Sequence, residues 1–200
     1  MERPNILFLM ADGLQGRFLQ PGHPCRTPNL RRLADAGVQI SRAYAPNPIC
    51  SPSRASLMTG LLPHSHGVLD VIHSVDDDQC CLRREKPHWA QRLSAAGYRT
   101  GYFGKWHIER NNDLNFYGWQ VNGSTDREYY QSRDKVTEGQ ETPYAPFKVL
   151  THPPGYKPSL LYGVAPEPFD ARVPGKTVAQ AEAFLEEALR GKAPWCCFVS

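Results

Sequence analysis

The chain has 200 residues, 40% of them hydrophobic, which is enough to bury a substantial core and excludes disordered and fibrous classes. Its 23 basic and 20 acidic residues leave a net charge of +3 with no long basic run, so nucleic acid binding is not indicated. Six cysteines include the adjacent pairs Cys80-Cys81 and Cys196-Cys197 but no Cys-x-x-Cys, a pattern of reduced thiols rather than of a disulfide framework or a structural zinc site.

The first element is a continuous apolar run, residues 5–11, of the kind a parallel strand shows when helices cover both faces of its sheet. It is too short to span a membrane and lacks the basic start and small-residue cleavage site of a secretory signal, which points to a cytoplasmic address without membrane association. The run ends at Asp12-Gly13, where a loop begins. Thr27-Pro28 reads as a cap and first helical residue, with Leu30, Leu33 and Ala34 at helical spacing and Gly37 as terminator. A short strand is expected over residues 38–44, followed by a loop with two prolines.

Cys50 comes next, in Cys50-Ser51-Pro52-Ser53-Arg54. Pro52 suits a first helical turn, Ser51 is a good cap, and Gly60 can close the helix, so the Cys50 side chain is placed beside free backbone N–H groups. Those donors and the helix dipole attract a tetrahedral oxyanion such as sulfate or phosphate, and Arg54 adds a permanent positive charge one turn on. In isolation, Cys50 would read as a small buried cysteine near a helix start.

Farther along, residues 87–96 read as a helix with Trp89 and Leu93 inward, stopped by Gly97, and residues 98–103 as a strand. Lys105 and His107 fall just past that strand. Asp12 also falls at a strand end, and ligand sites of open α/β sheets lie at the carboxyl ends of strands. Residues 111–175, rich in proline, glycine and tyrosine, read as loops that face the substrate. A helix is expected over residues 177–190, with Val178, Ala181, Phe184, Leu185 and Ala188 on one face, and then a buried strand over residues 195–200. The order of strands and helices is that of an α/β fold with a mostly parallel sheet and helices on both faces.

Two motifs carry a family resemblance. The Cys50 segment matches the Cys-x-Pro-Ser-Arg signature of sulfatases, and Gly97-Tyr98-Arg99-Thr100-Gly101-Tyr102-Phe103-Gly104-Lys105-Trp106-His107 resembles their second signature, Gly-Tyr-x-Thr-x-x-x-Gly-Lys-x-His. The opening strand through Asp12 and the Thr27-Pro28-Asn29-Leu30 start also resemble the family, so the likeness runs over about residues 3–107. It implies an alkaline-phosphatase-like sandwich, with residues 1–200 as the N-terminal part of a catalytic domain.

The resemblance further implies that Cys50 is oxidised to formylglycine by a formylglycine-generating enzyme. Hydrated, it becomes both nucleophile and ligand of a divalent metal, usually calcium, that Asp12 also binds. Lys105 would neutralise sulfate oxygens, His107 would move the proton with a pKa near neutrality, and Arg54 would brace the site. The implied reaction is hydrolysis of a sulfate ester of a sugar or small molecule. Phosphonate monoester or phosphodiester hydrolysis by the same nucleophile is the alternative, as is a non-catalytic relative.

Gly13 departs from the pattern, because many sulfatases carry a second acid or amide there. The second metal-binding pair is expected beyond Ser200. His64 and His66 are expected to form a conformational loop near the site, and Asp76-Asp77-Asp78 a solvated charge run.

Overall fold

The computed structural model describes residues 3–20, 22–125, 147–150, 159–164 and 166–200. Its centre is a four-stranded parallel sheet in the order β1, β6, β2, β3, where β1 is Ile6–Leu9, β2 is Arg99–Gly104, β3 is Val121–Ser124 and β6 is Trp195–Val199. Strand β6 therefore lies between β1 and β2, and Trp195-Cys196-Cys197-Phe198-Val199 is apolar because both of its faces are covered.

Parallel register puts like faces side by side. Phe8 pairs with Phe198 and Tyr102 also pairs with Phe198, so three rings form a stacked rung across the sheet, with centroids 4.7 and 4.8 Å apart. On this face the core continues into Trp106, Tyr117 and Trp119, and into helices α2 (Cys50–Thr59) and α4 (Trp89–Ala95). The opposite face carries Phe103 and Cys197, covered by Ala181, Phe184 and Ala188 of the terminal helix α5 (Val173–Arg190). All six cysteines are free, and burial pushes the Cys196 and Cys197 thiols up to about 12 and 11, so both stay protonated packing groups.

Several expectations are corrected. Residues 38–44 form no strand, and Val38 and Tyr44 are 91% and 86% exposed, because no described strand lies alongside to complete a backbone ladder. The same lack of cover leaves α1 (Pro28–Ala36) with no buried residue despite its helical spacing. Strand β1 is covered on one face only: Leu7 and Leu9 point to the α5 side but lie beyond its reach and are exposed.

The expected loop region contains β3, an antiparallel hairpin of β4 (Phe147–Leu150) and β5 (Ser159–Gly163), and the first turn of α5. Residues 126–146, 151–158 and 165, also expected to be loop, lie outside the described residues. Val178 is more exposed than its place on the predicted helix face implies, whereas Thr177 is buried there instead.

Candidate functional site

Three adjacent strands end on one rim, and each delivers a polar group to it. β1 leads to Asp12, β6 to Ser200 and β2 to Lys105. Gly104 permits this convergence: its φ is +95° and a Cβ there would meet the Ser200 carbonyl oxygen at 1.9 Å.

Arg54 reaches all three strand ends from α2. One guanidinium nitrogen donates to the Lys105 carbonyl at 2.6 Å and to Ser200 Oγ at 2.8 Å, while the other lies 3.4 Å from Asp12 Oδ2. Lys105 Nζ lies 2.5 Å from the same carboxylate oxygen. Burial alone would raise the Asp12 pKa, but Lys105 and then Arg54 outweigh it and hold the carboxyl below its ordinary value. Lys105 is the mirror case: burial pulls its pKa down, and the bond to Asp12 outweighs burial and holds it above the usual lysine value. Two cations against one carboxylate leave the rim net positive.

Helix α2 begins one step earlier than expected. Its cap is Ile49 and Cys50 is its first residue, so Ser51 is not the cap; its hydroxyl instead accepts the Ile72 N–H at 3.3 Å. Pro52 still falls in the first turn, and Gly60 closes the helix in the left-handed region at φ 71°. Cys50 is half-buried and lies near enough to Lys105 to act on it electrostatically. The helix thus places Cys50 at the rim, with Arg54 one turn behind it.

The short helix α3 (Pro63–His66) holds α2 in place, which is more than a loop near the site. His66 Nδ1 accepts the Val68 N–H at 3.1 Å, so the neutral ring carries its proton on Nε2, 2.9 Å from Ser56 Oγ. The ring also bonds the Pro52 backbone, joining the signature turn to the turn after it. Burial first, then His64 and Arg83, push His66 down to about 4 and keep it neutral.

His107 lies past Lys105, 2% exposed and with a positive φ of 49°, an uncommon conformation for a non-glycine residue. Burial, Lys105, His73 and Arg54 push its pKa down to about 4, correcting the expectation of a value near neutrality. At pH 7 the ring is neutral, with one nitrogen protonated and the other able to accept a proton. The exposed triple aspartate is also more than a solvated run, since Asp77 pairs with Arg110.

A cavity of about 610 Å³ opens beside Asp12, Arg54, Lys105 and Ser200, with Met10, Val173, Pro174 and Val178 as its apolar wall. The arrangement is a cationic pocket at strand ends with a helix-borne cysteine beside it, suited to a tetrahedral anion attached to an organic group.

A family model described as Sulfatase matches residues 4–188. The chain belongs to the sulfatase family. Its fold is accordingly alkaline-phosphatase-like, and the parallel sheet with helices on both faces is the part of that fold these residues form. Human arylsulfatase A is 41% identical over 107 residues, covering 52% of this chain and 21% of that protein. N-acetylglucosamine-6-O-sulfatase of Bacteroides thetaiotaomicron is 35% identical over 109 residues, 54% of this chain and 18% of that protein. Among solved structures, the PsFucS1 sulfatase of Pseudoalteromonas sp. superposes with a TM-score of 0.66 at 22% identity, covering 98% of this chain and 43% of that one. The chain thus matches about a fifth of the length of these curated sulfatases and less than half of the solved one.

A sulfatase metal centre needs more than the described residues supply. Among them, no group of three or more His, Cys, Asp or Glu side chains is placed to share a metal ion. Asp12 and Cys50 fall well short of the about six to eight oxygen ligands calcium takes, and Asp12 Oδ2 is already held by Lys105 and Arg54. On their own these residues do not fit a calcium centre. Sequence reasoning named Asp12, Cys50, Arg54, Lys105 and His107, of which Asp12, Arg54 and Lys105 meet in direct contact, but did not name Ser200, the Ser51 link to Ile72 or the His66 clamp, which arise from tertiary placement and leave no local pattern.

Proposed function

We propose that the full-length protein hydrolyses organic sulfate esters, with residue 50 as the source of the nucleophile. The observation that carries this reading is the convergence on one rim of Cys50, as the first residue of α2, with the cations Arg54 and Lys105. Oxidised to formylglycine by a generating enzyme and hydrated, residue 50 would supply one hydroxyl whose oxygen attacks sulfur as the ester S–O bond breaks and the alcohol leaves with that hydroxyl's proton, and a second whose proton loss re-forms the aldehyde and expels sulfate.

The chain's own residues do the rest. Lys105 and Arg54 offset the charge on the sulfate oxygens, and the N-terminal end of α2, where residue 50 sits, adds the positive end of its dipole. His107, neutral at pH 7, takes up a proton. Tyr102 Oη donates to the Lys105 carbonyl at 2.5 Å and, with Arg54 on that same oxygen, fixes the backbone that aims Lys105. Calcium, which the family resemblance implies, needs ligands beyond those described, and no step above depends on it.

The substrate is a sulfate ester of a sugar or small alcohol, which fits both the cationic rim and the partly apolar cavity. Turnover of an aryl sulfate against an aryl phosphodiester by the full-length protein tests the reading. Preference for the sulfate, lost in Cys50→Ala, supports it, and preference for the phosphodiester overturns it.

A further inference from the structure

Hydrolysis of a sulfate monoester near neutral pH yields an alcohol, a sulfate dianion and one proton, so each turnover exports a proton from a rim lined with cations. His107, which accepts it in the function proposed above, is buried. Exposed His73 stands beside it, with ring centroids 5.6 Å apart and planes tilted by 31°.

The segment carrying His73 is tethered on several sides. An antiparallel bridge between Val68 and Cys80 closes its base, reinforced by the Leu69 N–H bond to the Gln79 carbonyl at 2.8 Å. Ile72 N–H donates to Ser51, the residue after Cys50. Arg110, three residues past His107, donates to the carbonyls of Ile72 at 3.1 Å and Val75 at 2.5 Å and pairs with Asp77. His73 is therefore fixed from both chemically important neighbourhoods, that of residue 50 and that of His107.

We propose that His73 is the proton relay of this site, carrying the proton from His107 to solvent; the proposal rests on the sulfatase reading above. The O–H bond of residue 50's second hydroxyl breaks as its proton joins the unprotonated nitrogen of His107, its electron pair re-forming the carbonyl while the C–O bond to sulfate breaks. A proton then passes from His107 to His73, directly or through one water, and bulk water or buffer removes it. Both rings end neutral, and the proton released balances the hydrolysis. Besides His73, the groups acting on His107 are Lys105, Arg54 and Asp12. The two cations disfavour a lasting imidazolium, which drives the proton outward.

The test is steady-state turnover of an aryl sulfate by the full-length protein in weak buffer, comparing wild type with His73→Phe and His73→Gln. The relay predicts that kcat falls roughly tenfold in both variants with KM unchanged, and that added imidazole restores it without accelerating wild type. A phenylalanine keeps the ring contact and glutamine keeps a hydrogen-bonding group, so neither conserves the relay. Wild-type kcat in either folded variant, a loss that imidazole does not restore, or a rise in KM alone overturns the relay. Failure of the wild type to cleave any sulfate ester overturns the sulfatase reading and the relay with it.

Discussion

Lys105 Nζ and Asp12 Oδ2 lie 2.5 Å apart, joining the carboxyl ends of two strands through residues 93 positions apart in the chain. Arg54 joins the same oxygen from α2, so one carboxylate organises two cations at the site.

The Lys105 and Asp12 pair carries a predictable pH window. Asp12 titrates below its ordinary 3.8, so its contribution is present above pH 3.8 and lost as pH falls through the folded value. Lys105 titrates above its ordinary 10.5, so its contribution is present below pH 10.5 and lost as pH rises through the folded value. Because Asp12 is nearly half exposed, Lys105→Met is expected to cost no more than about 1 kcal/mol between those limits while abolishing most activity. Thermal midpoints of wild type and variant should converge below pH 3.8 and above pH 10.5.

His66, His88 and His107 are buried and neutral, at about 4, 3 and 4 against an ordinary 6.5. The unfolded chain binds protons that the folded chain refuses, so stability is level above pH 6.5 and falls as pH drops toward 4. Each ring should cost roughly 2 kcal/mol by pH 5. Urea midpoints of the full-length protein measured between pH 7 and 5 check this, and a flat profile contradicts it.

His66→Ala should destabilise the protein by about 2–3 kcal/mol, because it opens a cavity and strands the buried Ser56 hydroxyl and Val68 N–H. Activity should fall with it, since the Pro52 turn behind Cys50 loses its tie. Urea unfolding and aryl sulfate turnover of the same sample measure both.

Gly104→Ala should be more costly than any surface change, at about 3 kcal/mol or more, since the Cβ meets the Ser200 backbone and φ is +95°. Poor soluble yield or a clear drop in thermal midpoint is the expected result.

Much of this architecture could be read before any coordinates. β1 and β6 announce themselves as apolar runs, β2 as a short stretch ending in Tyr102-Phe103 between the helix stop at Gly97 and Gly104, and α5 by its spaced Ala181, Phe184 and Ala188. The rim followed because Asp12 and Lys105 directly succeed such segments. Strand β3, Val-Asn-Gly-Ser, has almost no apolar pattern; pairing with β2 makes it a strand, and no local preference signals that. Residues 38–44 fail in the opposite sense, because β-forming residues build no ladder without a strand beside them. Likewise, a motif can single out His107, but only folded burial beside two cations lowers its pKa to about 4.

Peptide mass of the segment containing residue 50, taken from full-length protein that turns over an aryl sulfate in its native host, tests the central claim most directly. The account predicts an aldehyde in place of the Cys50 thiol, and turnover that disappears in Cys50→Ala. An unmodified thiol in fully active protein would contradict it.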